Sequence, residues 1–135
     1  MQHWWVRTHK VLLALAIGLL CAPSSRAEDR VVYSEVGTAS FYGAELVGER
    51  TASGARYDPT QLTAAHPTLP LGAEVTVVAL ATGRRVEVKI TDRGPFTGGR
   101  DIDLSQRAAE KLGITKKGVA KVRITATEEQ LKQAD

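Results

Sequence analysis

Cysteine is almost missing from this chain. The single one, Cys21, cannot close an internal disulfide. One cysteine and three histidines, His3, His9 and His66, supply no ligand cluster of the kind that holds zinc, so no metal or other cofactor is expected. No Gly-x-Gly-x-x-Gly, no phosphate loop and no Gly-x-Ser-x-Gly elbow occurs, which removes the common nucleotide-binding and serine-hydrolase readings. Internal repeats and low-complexity tracts are absent as well. At 135 residues the chain has room for one small domain.

Acidic residues are also missing from the first 27 positions, where Arg7, Lys10 and Arg26 stand. The basic start runs into an uncharged apolar stretch, Val11 to Ala22, and then into Ser25-Arg26-Ala27. A basic start, a short apolar run and a small-x-small site describe a secretory signal peptide over residues 1–27, cut after Ala27. The alternative is an uncleaved anchor, but a spanning helix needs about 20 apolar residues. Lipidation at Cys21 is disfavoured because Leu19-Leu20 precede it where a small residue is wanted. Removal of the leader takes three basic side chains and no acid from 18 basic and 15 acidic, leaving 15 of each. The basic pI therefore belongs to the leader, and a nucleic-acid partner loses its electrostatic footprint. The exported domain, residues 28–127 with a polar tail over 128–135, keeps His66 but no cysteine and no tryptophan. It must stand on its core alone.

That core reads as β. Val86, Val88 and Ile90 alternate with Arg85, Glu87, Lys89 and Thr91, the period of a half-buried strand. Val75 to Leu80 is a β-branched run, and Ala81-Thr82-Gly83 joins the two segments as a hairpin. Ala120 to Ala126 alternates in the same way, and Val36 to Tyr42 forms a first strand. One short helix is expected over Leu104 to Leu112, capped by Asp103 and ended by Gly113. Short strands, glycine turns and one helix indicate a small barrel.

Polar side chains fall at the ends of these segments. Asp92 directly follows the strongest strand, which would present it to a cleft as a general acid or base; a loop aspartate bonded to nearby amides is the bland alternative. His66 lies between small residues and two prolines, either as a titrating partner or as a half-buried ring bonded to backbone. Asp103 is either a site acid or the helix cap. Thr51 and Ser53 sit in a small polar loop that bonds a sugar or merely turns. With Ser40, Tyr42, Tyr57 and Arg93 these residues suit a glycan better than an apolar ligand, because sugar hydroxyls need bonding partners and sugar C–H faces stack on rings.

Taken together, the segments Gly37-Thr38-Ala39-Ser40-Phe41-Tyr42-Gly43, Thr51-Ala52-Ser53-Gly54, Tyr57-Asp58, Leu62 to His66, Thr68 to Gly72, Gly83-Arg84, Asp92 to Phe96 and Arg100 to Ser105 hold an order and spacing. In both, the chain resembles the RlpA family of septal-ring rare lipoproteins, from Gly37 to about Gly113. The resemblance implies a six-stranded double-psi β-barrel, mainly β with one short α-helix, related to expansin and barwin domains and family 45 endoglucanases. It implies lytic transglycosylase activity on peptidoglycan glycan strands. Residues matching Asp92 and His66 carry that activity, Asp92 as acid/base and His66 as its partner, or with the roles exchanged. Ser40, Tyr42, Thr51, Ser53, Arg93 and Asp103 are expected to contact the glycan. An acid working near neutral pH needs burial, and Arg93 would oppose that if it pointed inward, so it is expected to point out or to bind glycan. Two residues depart from the family pattern. Ala55 stands where a glutamate is usual, and Val47 where histidine is frequent. A glycan-binding module without turnover, in the manner of expansins, is the competing expectation. The C-terminal SPOR domain of longer members is not expected here.

Overall fold

The structure, a computed structural model, describes residues 29–134. The expected leader, residues 1–27, lies outside the described residues. Six strands occur among those residues: β1 (Val31–Phe41), β2 (Thr63–Ala65), β3 (Glu74–Ala79), β4 (Arg85–Asp92), β5 (Ile102–Leu104) and β6 (Ala120–Thr127). They close into a barrel in the order β1-β5-β2-β4-β3-β6. The six-stranded barrel implied by the resemblance is therefore the fold.

Alternation builds the core. Val75, Val77 and Ala79 of β3, Val86, Val88 and Ile90 of β4, and Val122, Ile124 and Ala126 of β6 are all buried. Ala39, Ala64, Ile102 and Leu104 fill the space between them. Each fully buried Val, Leu or Ile contributes roughly 1.5–3 kcal/mol, so this interior holds the barrel without a disulfide. The β3–β4 hairpin pairs Val77 with Val86 and turns at Gly83, whose φ of 75° suits glycine.

Two parallel pairings fix the functional corner. β1 pairs with β5 in parallel, and β2 pairs with β4 in parallel. β2 and β5 join these pairs antiparallel. Ser40, Asp103, Ala65 and Asp92 thus lie side by side in one row across four strands.

The chain differs from the sequence expectation at two places. β1 starts at Val31 rather than Val36, because Val31 to Ser34 still pair with β6. The helix, α1, runs Gln106–Leu112 and its cap is Ser105, which accepts from the Ala108 amide; Asp103 and Leu104 belong to β5 instead. Asp103 is unavailable as a cap because its strand pairs it with Ser40. The tail holds a five-residue helix, α2 (Glu128–Lys132), started by a capping box between Thr127 and Gln130.

Candidate active site

Asp92 ends β4 at the barrel mouth, half-buried; a register shift between Ala64 and Ala65 pairs it with Ala65, so it leaves the inward series of Val86, Val88 and Ile90 and joins the row of Ser40 and Asp103. Its carboxylate collects three donors. The Tyr42 hydroxyl donates to Oδ2 at 2.9 Å. The backbone N–H groups of Ala52 and Arg93 both donate to Oδ1 at 2.9 Å. The 51–55 loop is tied to the same strand end, since the Ser53 amide donates to the Thr91 carbonyl at 3.0 Å. Burial first, and then the bond to Asp92, push the Tyr42 hydroxyl far above the usual phenol range. Tyr42 therefore stays protonated and remains a donor to Asp92. Its ring meets Tyr57 edge-on with centroids 4.6 Å apart, which fixes its direction.

His66 follows Ala65 out of the four-strand row, and its amide donates to the Asp92 carbonyl at 3.1 Å. Its side chain turns elsewhere and is only 3% exposed. Nδ1 accepts from the Thr68 and Leu69 amides at 3.1 and 3.0 Å. Two donors on Nδ1 place the ring proton on Nε2, which donates to Glu35 Oε2 at 3.0 Å. The Tyr33 hydroxyl also donates to Glu35 Oε2, and its ring stands edge-on to the imidazole. Glu35 was not among the residues singled out from the sequence. Its signal was the alternation Tyr33, Glu35, Gly37, Ala39, which sets it on the inward side of β1.

Arg93 points back rather than out. Its Nη1 donates to the carbonyls of His66 at 3.1 Å and Leu69 at 2.6 Å, clamping the loop that holds the imidazole. Ser40 and Asp103 are both buried and bond each other, with Arg100 Nη1 donating to Ser40 Oγ at 3.2 Å and 3.4 Å from Asp103 Oδ1. Thr51 and Ser53 bond to each other within a tight turn. Their hydroxyls lie 2.8 Å apart, and Thr51 Oγ1 donates to the Ala55 carbonyl at 2.7 Å. The row thus brings together Asp92, Tyr42 and the 51–55 loop at one point, Ser40 with Asp103 beside it, and His66 with Glu35 on the other side. A hollow of about 560 Å³, lined by Ala79, Leu112, Ile114 and Val119, lies by the start of β4, the end away from Asp92, and involves none of these groups.

The family described as lytic transglycolase matches residues 34–124, from β1 into β6. The endolytic peptidoglycan transglycosylase RlpA of Yersinia pestis is 48% identical over 90 residues, covering 67% of this chain and 25% of that protein. The probable enzyme of the same name from Synechocystis sp. is 55% identical over 86 residues, 64% of this chain and 27% of that protein. That from Neisseria meningitidis is 46% identical over 92 residues, 68% and 38%. The chain thus spans a quarter to two fifths of the length of these relatives. Among solved structures, a Streptomyces papain inhibitor superposes with a TM-score of 0.57 at 26% identity, over 70% of this chain and 94% of that one. An expansin from Clavibacter michiganensis superposes with a TM-score of 0.55 at 18% identity, over 71% and 52%, a likeness of fold alone. The matched span reaches all six strands of the barrel, the first and last in part, and includes both Asp92 and His66, and the chain belongs to the lytic transglycolase family as an RlpA-like double-psi β-barrel domain.

Proposed function

We propose that this protein is an exported cell-envelope enzyme that cleaves peptidoglycan glycan strands as a lytic transglycosylase. The observation that carries the reading is Asp92 at the barrel mouth, held by the Tyr42 hydroxyl and two backbone amides. A fixed carboxyl group with a rigid shell is what acid/base work on a glycosidic bond asks for. In this mechanism Asp92 in its protonated form gives its proton to the bridging oxygen between muramic acid and glucosamine. The C–O bond breaks as an oxocarbenium-like centre develops at the muramic carbon. The C6 hydroxyl of the same sugar attacks that centre and closes a 1,6-anhydro ring. Asp92, now a carboxylate, takes the hydroxyl proton and is ready again. No water enters, so a second carboxylate is not required for the chemistry.

Export by a leader over residues 1–27, with cleavage after Ala27, belongs to the same proposal and delivers the domain to its substrate. Ser40, Thr51, Ser53 and Asp103 surround the Asp92 corner as glycan contacts, and Arg93 serves by holding His66 in place.

A second reading is a glycan-binding module without turnover. The observation that favours it is Ala55, exposed in the loop beside Asp92, at the position where the family resemblance implies a glutamate. Replacing Asp92 by Asn separates the two. The enzyme loses its products and keeps its hold on the strands; a binding module has no products to lose.

A further inference from the structure

Both ring nitrogens of His66 are spent inside the protein: Nδ1 on two backbone amides and Nε2 on Glu35. The ring is 3% exposed, whereas the Glu35 side chain is 29% exposed. Both donors to Glu35, from His66 and Tyr33, fall on the same oxygen, Oε2. Oε1 accepts no hydrogen bond among the described residues. A half-open carboxylate on β1 is thus locked in direction by a buried imidazole and a phenol, while its other oxygen stays accessible to solvent. Locking an exposed carboxylate costs rotamer freedom, and it offers a ligand an acceptor already aimed.

We infer that Glu35 is a glycan-binding residue, and that His66 reaches the substrate only through it. Oε1 takes a neutral donor of the sugar chain, a hydroxyl or an acetamido N–H, while Oε2 keeps His66 and Tyr33. The assignment rests on the reading of the cleft as a glycan site. It also gives the domain a second anchoring carboxylate besides Asp92, on the side of His66 away from the 51–55 loop.

The test uses the Asp92→Asn protein, which holds strands without consuming them, and peptidoglycan glycan strands stripped of stem peptides. Retention on the strands is measured for this parent and for the parent carrying Glu35→Ala or Glu35→Gln. Glutamine keeps a carbonyl for His66 and Tyr33, so it preserves the fold if alanine does not. Both variants are expected to weaken retention, alanine by about tenfold, the loss typical of one hydrogen bond to a charged group. The His66 Nε2–H resonance of the parent is expected to shift when strands are added, a change that a purely structural hydrogen bond would not produce. Retention equal to the parent's in the folded variants, with an unmoved His66 resonance, overturns the assignment alone. Failure of the parent itself to be retained overturns the glycan reading of the cleft and the assignment with it.

Discussion

The Tyr42 hydroxyl donates to Asp92 Oδ2 at 2.9 Å, and it is the only side chain among the described residues to touch that carboxylate. Tyr42→Phe removes the hydroxyl and keeps the ring against Tyr57. The fold is expected to survive with a loss of about 1 kcal/mol in urea unfolding. Product formation from glycan strands is expected to fall about tenfold, because the donor that directs the carboxyl group has gone. Unchanged turnover in Tyr42→Phe would show that Asp92 is held well enough by its two amides.

All three tyrosines, Tyr33, Tyr42 and Tyr57, are pushed above the ordinary phenol range, with burial the largest cause in each. Tyr33 and Tyr42 are raised further by the carboxylates they bond, Glu35 and Asp92. A phenol whose folded pKa is raised binds its proton more tightly folded than unfolded. Its contribution is complete below the unfolded value of about 10 and is lost as pH climbs through that value toward the folded one. Stability is expected to fall in this alkaline window. Phenolate absorbance should appear together with unfolding seen by circular dichroism. Titration of all three phenols near pH 10 in a folded protein would contradict the burial argument.

Arg93→Ala strips two carbonyls, those of His66 and Leu69, of their shared donor. It is expected to cost about 2 kcal/mol, read as a lower urea midpoint at unchanged slope. Lysine should recover little, since it must place one flexible ammonium between both carbonyls. A variant as stable as the parent would mean the loop holds itself.

Ser105 is fully buried and serves three segments. Its hydroxyl donates to the Gln61 carbonyl at 2.6 Å and accepts from the Thr63 and Ala108 amides at 3.3 and 3.2 Å. Ser105→Ala is expected to cost about 2 kcal/mol, a helix cap plus an orphaned buried group. Thermal unfolding monitored by circular dichroism checks this. Asp103→Ala, by contrast, should leave α1 intact, since Asp103 serves Ser40 and Arg100 rather than the helix.

The long strands were legible because eight residues of alternation in β4 and β6 leave little choice of face. β2 was not, since Thr63–Ala65 is too short to show a period and carries two alanines, poor strand formers. The start of α1 was misplaced because Asp103 and Ser105 are equally good caps in isolation; only the pairing of Asp103 with Ser40 decides between them. Asp92 could be read as a strand-end acid, but its donors, Tyr42 and Ala52, come from 50 and 40 residues away and depend on barrel closure. Glu35 was invisible for the same reason. The alternation around it sets only its face of β1, and its partner His66 stands 31 residues on.

The measurement that bears most directly on the central claim is incubation of the purified protein with sacculi and with stem-stripped glycan strands, products read by mass spectrometry. Fragments ending in 1,6-anhydro-muramic acid are expected, and none from Asp92→Asn. Reducing-end fragments, or anhydro fragments that persist in Asp92→Asn, would contradict transglycosylation through Asp92.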